Sequence, residues 1–176
     1  VPHEYGTAIL SRFPIQDCEN TLLPRVDVTT EQRGLLQAFI NLRGVPLHFN
    51  NTHLQHTSDV ERTVQAARVA ELISPITQPT VLVGDLNADP PEPSLDPIEA
   101  LLQDVWLLAG FGDGLTAFVD EEELTRRIDY IWVSEDITAE KIYVAIDALT
   151  TLASDHYPVV ADIALPGSAV GLGPKR

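Results

Sequence analysis

The sequence predicts a single α/β domain built mainly of strands, and three of its segments carry that prediction. Leu35–Leu42 and Val45–His53 are strand-like runs on either side of Arg43-Gly44, a pairing that reads as a hairpin. Val60, Val64, Ala67, Ala70 and Ile73 recur at helical spacing behind Ser58 and Glu61, the residues of a capping box, and the pattern stops ahead of Pro75. Thr80-Val81-Leu82-Val83 is a continuous apolar run closed by Gly84, the mark of a strand buried on both faces.

The remaining elements follow in order. Thr7–Ser11 reads as a short strand broken at Arg12-Phe13-Pro14. A Pro-rich loop, Asp89–Pro93, precedes a short helix expected from about Asp96 to Gln103. Ile128–Val133, Ile142–Ile146 and Val159–Leu165 supply three more strands, with Asp162 the one charge in the last. Pro166–Arg176 is Gly-rich and lacks periodicity, which predicts a flexible tail after a domain that ends near Leu165. No internal repeat interrupts this order.

With 176 residues, 44% of them hydrophobic, the chain can bury a substantial core. It holds no run of about 18 apolar residues and no basic-then-apolar start, so neither a membrane span nor an export signal is read; this favours the cytoplasm without fixing the compartment. The absence of methionine and the abrupt start at Val1-Pro2-His3 lead us to expect that upstream residues have been lost. Cys18, the single cysteine, excludes an intramolecular disulfide framework and reads as a small core or surface residue. A net charge of −15 disfavours attraction to a long polyanion, since Lys and Arg supply most of such binding. Most of the acidic excess, such as Glu121-Glu122-Glu123, reads as solvated surface. Asp85, Asp129 and Asp155 are different, because apolar residues flank them.

These three aspartates sit in strings that place polar groups where an apolar strand meets a loop: Gly84-Asp85-Leu86-Asn87, Arg127-Ile128-Asp129-Tyr130 and Ser154-Asp155-His156-Tyr157-Pro158. Hydrolysis of a phosphate ester needs a divalent cation, an activated water and donors for the charge that builds in the transition state. Hard oxygen ligands suit Mg²⁺ or Mn²⁺. Asp85 and Asn87, two apart at a strand end, point to the same side and can face one ligand; the same string also fits an Asx-type turn. Asp155-His156 in a loop puts a metal ligand beside a general base that titrates near neutrality. Asp129 is suited to hold that imidazole in one tautomer and to stabilise its protonated form. His53, ending the Leu47–Thr52 run, is a fourth candidate, although a lone histidine at a strand end is more often a hydrogen-bonded bystander. Asp129 and His156 have no local reason to meet, so contact between them tests the whole assignment.

Taken together, Gly6-Thr7-Ala8-Ile9-Leu10-Ser11-Arg12, Asn51-Thr52-His53-Leu54, Gly84-Asp85-Leu86-Asn87-Ala88, Arg127-Ile128-Asp129-Tyr130-Ile131 and Ser154-Asp155-His156-Tyr157-Pro158-Val159 resemble the endonuclease/exonuclease/phosphatase superfamily in both content and order. The resemblance implies a two-sheet α/β sandwich with helices outside and the active site at one edge of the sheets. It also implies roles: His156 as general base on the attacking water, Asp129 as its orienting partner, and Asp155 at the metal site. Asp85 and Asn87 would position the nucleophile and phosphoryl oxygens and serve the metal, and His53 would bind phosphate or assist the leaving group. Arg33, in Glu31-Gln32-Arg33-Gly34, and Arg62, on the capped helix, are read as structural.

The front of the chain departs from the family pattern. Members begin with a strand carrying an active-site Asn and a later strand ending in Gln-Glu, whose Glu is the principal metal ligand, and neither segment is present; Glu4 stands near the right end but in unmatched surroundings. Residues 1–165 thus resemble the C-terminal two-thirds of an N-terminally truncated domain, whose sheet edges would be exposed unless a partner segment or second copy covers them. The function expected is metal-dependent hydrolysis of small or lipid-like phosphate esters, with Mg²⁺ or Mn²⁺ as cofactor and duplex nucleic acid disfavoured as substrate by the charge. A nuclease, or a catalytically impaired fragment serving as an interaction module, is the alternative.

Overall fold

A computed structural model describes residues 6–120, 123–147 and 149–167. The tail from Ser168, the Glu121-Glu122 pair and Glu4 lie outside the described residues. A six-stranded sheet forms the frame. In chain order its members are β1 (Ile15–Leu22), β2 (Gly34–Leu42), β3 (Val45–His53), then, after helix α1 (Asp59–Ile73), β4 (Thr80–Asp85). A short helix α2 (Asp96–Glu99) leads to β5 (Gln103–Asp104), which runs straight into α3 (Val105–Ala109). A small hairpin of β6 (Ala117–Asp120) and β7 (Glu123–Arg126) precedes β8 (Asp129–Val133). Strand β9 (Thr138–Val144), a single-turn helix α4 (Thr150–Ala153) and β10 (Val159–Ala164) complete the described chain. The large sheet has the order β1-β2-β3-β4-β8-β5, and β9–β10 and β6–β7 form separate two-stranded sheets.

Strand β4 runs parallel to β3, across the α1 crossover, and antiparallel to β8. Its alternating residues go to two cores, as its unbroken apolar run predicts. Leu82 packs with Leu35, Tyr130 and Trp132 against Ala66, Val69 and Ile73 of α1. Val81 and Val83 pack with Val133 against Ile142, Val159 and Ala161 of the β9–β10 layer. The molecule is therefore layered as helices, six-stranded sheet and second sheet, with the second sheet represented by β9–β10. Between the two sheets an open cleft of about 720 Å³, lined by Phe49, Val83, Ile131, Val159 and Ala161, runs up to Asp129 and His156.

Several expected elements move. Thr7–Ser11 is not a strand; its carbonyl at Ala8 accepts from Asn51 Nδ2 at 2.9 Å, and pairing with β2 begins only at Ile15, past Pro14. The helix expected to reach Gln103 stops at Glu99, because Gln103 and Asp104 are recruited to the edge of β8. The strand expected over 142–146 lies at Thr138–Val144, in register with β10.

Helix α1 starts as its cap predicts, with Ser58 Oγ accepting from the N–H of Glu61 at 3.3 Å. The later part of the apolar stripe, Ala70 and Ile73, is buried as expected, but in the first turns Val60 and Val64 are exposed while Glu61, Arg62 and Gln65 are buried. Glu61 does not close the capping box. Its carboxylate accepts from the N–H groups of Val26 and Asp27 and from Thr30 Oγ1. Arg62 is structural as expected, pairing with Glu92 at 2.8 Å and donating to the carbonyl of Gln55 at 2.9 Å.

Candidate active site

Parallel pairing of β3 with β4 puts their C-terminal ends side by side, and the antiparallel β8 begins at the same level. The register then lines up His53, Asp85 and Asp129 in one row across three adjacent strands. The row is possible because of Gly84. It has φ +145°, and a Cβ there would fall 1.8 Å from the carbonyl oxygen of Thr52, so only glycine lets β3 and β4 approach just before Asp85.

Asp85 does two things at once. Its Oδ1 accepts from the backbone N–H of Asn87 at 2.8 Å, which is the Asx-type turn, while Oδ2 faces His53 Nε2 at 3.2 Å. Asn87 adopts the left-handed φ of 52°, and its Nδ2 donates to the carbonyl of Leu54 at 3.0 Å, joining the ends of β3 and β4. The Asx-type turn is thus present, with the second oxygen of Asp85 turned toward His53.

His156 comes from the far end of the chain. Ala117 forms a β-bridge with it, and Thr116 accepts at its carbonyl from the N–H of Tyr157 at 2.7 Å while its Oγ1 accepts from that of Asp129 at 3.3 Å. The expected contact results: His156 Nδ1 lies 2.8 Å from Asp129 Oδ2. The β6–β7 hairpin that delivers this alignment is absent from the sequence reading, since its Glu-rich tip reads as solvated surface.

Charge distinguishes the two histidines. The hydrogen bond to Asp129 raises the pKa of His156 above the usual 6.5, against the opposing effect of burial. His53 is pushed down to about 4, first by burial and then by Arg33, so its contact with Asp85 is a hydrogen bond from a neutral ring at pH 7 rather than an ion pair. Burial, followed by repulsion from Asp129, lifts Asp85 to about 6. Arg33, read from sequence as structural, is buried, pairs with Glu31 at 3.1 Å and lies close enough to act on both His53 and Asp85. In metal-free protein followed by NMR we expect His53 to titrate near pH 4 and His156 above 6.5; a His53 midpoint at or above that of His156 would refute the assignment.

Asp85, Asp129 and His156 bring one ligand atom each to within 4.8 Å of one another. Asp85 and Asp129 offer hard oxygen donors beside His156, and of the two effects that lift Asp85, burial first and repulsion from Asp129 second, a divalent cation would relieve the repulsion, so the residues fit a metal. Asp155 is outside this group; it is exposed, and its carboxylate accepts from Ser154 Oγ at 3.3 Å.

A family model described as the endonuclease/exonuclease/phosphatase family matches residues 1–156. Among solved structures, the chain is similar to a Bacteroides thetaiotaomicron mannosyl-6-phosphatase, with 21% identity and TM-score 0.72 over 87% of this chain and 67% of that one. A Beutenbergia cavernae endonuclease/exonuclease/phosphatase matches at 25% identity and TM-score 0.70, over 92% of this chain and 48% of that one. The catalytic domain of human nocturnin matches at 20% identity and TM-score 0.66, over 87% and 60%. The class so defined is that of the phosphoesterases and nucleases. The chain belongs to the endonuclease/exonuclease/phosphatase family, and it spans about two thirds of the length of the first of these neighbours.

Proposed function

We propose that residues 1–165 are the catalytic part of a metal-dependent hydrolase of small or lipid-like phosphate esters, using Mg²⁺ or Mn²⁺. The observation that carries this reading is the 2.8 Å contact between Asp129 and His156 beside the ends of β3 and β4. When bound, the cation supplies charge neutralisation at the phosphoryl oxygens and acidifies a water. The chain's own residues do the rest. His156, through the Nε2 that Asp129 leaves free, takes a proton from the attacking water, and Asp129 fixes the tautomer and stabilises the imidazolium. Asp85 and Asn87 hold the metal and the phosphoryl group in register. Asp155, whose charge is felt at His156, would serve the metal site. His53, neutral at pH 7, would bind phosphate or assist the leaving group by turning its single N–H from Asp85 to the substrate.

The test is turnover of bis(p-nitrophenyl) phosphate and p-nitrophenyl phosphate with Mn²⁺ or Mg²⁺, abolished by chelation. Absence of turnover of both, in folded protein, would favour the interaction-module reading. Among the alternatives the nuclease is disfavoured by the charge of −15. We expect little binding to duplex DNA between roughly 50 and 200 mM salt, and tight, salt-sensitive binding would reverse that preference.

The reading includes a partner segment. β10 pairs only with β9 among the described residues, leaving an edge beside the apolar cleft. A strand-bearing segment laid along that edge would cover it, in keeping with the greater length of the structural neighbours. A dimer in light scattering would instead point to a second copy.

A further inference from the structure

The geometry points to Asp89 and Arg126 as positioning residues, an ion pair that locks the Asp85–Asn87 turn onto the start of β8. Its catalytic consequence rests on the phosphoesterase reading; its structural consequence does not. The turn leaves β4 through Asn87, whose left-handed φ of 52° is one that a non-glycine residue keeps when its surroundings impose it. Arg126 donates from Nε to Asp89 Oδ2 at 2.7 Å and from Nη2 to the carbonyl oxygen of Asn87 at 3.2 Å. The other oxygen of Asp89 accepts from the backbone N–H of Arg127 at 3.0 Å. Nearby, Tyr130 donates its hydroxyl to the carbonyl of Ala88 at 2.7 Å, and the N–H of Leu86 donates to Ile128 at 2.8 Å. Each of these bonds joins residues 86–89 to residues 126–130. The two strand ends that carry Asp85 and Asp129 are therefore held at a fixed spacing, with one guanidinium spanning both the turn's backbone and its carboxylate.

Stability alone does not account for such a pair. The side chains of Arg126 and Asp89 are 31% and 44% exposed, and ion pairs so exposed add little to folding. The neighbouring pair Arg127–Asp104, at 2.7 Å with both side chains buried, is the one placed to anchor this corner of the fold. Arg126 also ends β7, whose hairpin partner β6 bridges to His156 through Ala117. A change at Arg126 is thus transmitted to the turn directly and to the Asp129–His156 contact through its own hairpin.

The experiment is a double-mutant cycle with Asp89→Asn, Arg126→Gln and the pair together; Asn retains an oxygen for the Arg127 N–H. With bis(p-nitrophenyl) phosphate and Mn²⁺, each single change is expected to lower kcat about 10-fold with KM moved less than about 2-fold, and the double to be no worse than the weaker single. Melting temperatures should stay within about 3 °C of wild type. Arg126→Lys, which keeps charge and a donor, should retain more activity than Arg126→Gln. In parallel, the amide resonances of Asn87 and Asp129 should shift in Arg126→Gln. Additive losses, unchanged kcat in both singles, or a fall in melting temperature large enough to explain the loss would overturn the proposal. A wild type without turnover would count against the phosphoesterase reading alone, and the amides then decide: unmoved Asn87 and Asp129 resonances in Arg126→Gln sink the lock.

Discussion

Gly84→Ala is expected to destabilise the protein by about 3 kcal/mol or more, placing it among the severe single substitutions. The new methyl group would have to occupy a point 1.8 Å from the carbonyl oxygen of Thr52, on a backbone with φ +145° that alanine disfavours. No side chain can swing away to relieve this, because the obstacle is the main chain of the neighbouring strand. Relief requires β3 and β4 to separate where they pair in parallel, at the centre of the six-stranded sheet. For a domain of this length the cost corresponds to a fall of roughly 6–12 °C in melting temperature. A variant melting within about 2 °C of wild type would show that the strands are not held this close. The same substitution separates His53 from Asp85, so any folded remnant should be inactive.

That glycine also explains why the site was easier to find in the sequence than parts of the fold. Gly-Asp-x-Asn is a local message: the glycine permits the strand approach, the aspartate turns the chain, and the register then delivers Asp85 to Asp129. The hairpin of β2 and β3 was equally local, since Arg43 at φ 56° and Gly44 at φ 98° form the left-handed pair that its two-residue loop needs. The buried face of α1 was not local. Glu61 is held by Val26, Asp27 and Thr30, and Arg62 by Glu92, so polar residues went inside because of partners about thirty positions away. Apolar periodicity has no means of registering such partners, and it placed Val60 and Val64 inward instead. The β6–β7 hairpin was hidden for a related reason. Its acidic tip carries no strand signal, and its role, aligning Thr116 and Ala117 with Asp129 and His156, exists only across the chain. Arg33 was visible as a motif residue, but its reach to His53 and Asp85 depends on the ends of β2 and β3 being adjacent.

The largest functional effect is expected from the Asp129–His156 contact. Asp129→Asn and His156→Gln should each lower kcat by about 10²–10⁴, the range that a positioned general base contributes, while KM changes little. The double variant should lose little more, because an orienting carboxylate has no task once its imidazole is gone. The pH profile separates this from a general loss of structure. Neutral His156 is the working form, and Asp129 raises its pKa above 6.5, so activity should fall as pH drops through that raised value. Asp85, lifted to about 6 mainly by burial when no cation is bound, adds to the acid-side loss because its protonation competes with binding of the cation. Removing the charge at Asp129 withdraws the group that raises His156 and one that raises Asp85, and the residual activity of Asp129→Asn should therefore extend to lower pH than that of wild type. An acid limb unmoved in Asp129→Asn, with kcat nonetheless reduced, would mean that the rate-limiting proton is not on His156. Full activity in His156→Gln would remove the general-base assignment altogether.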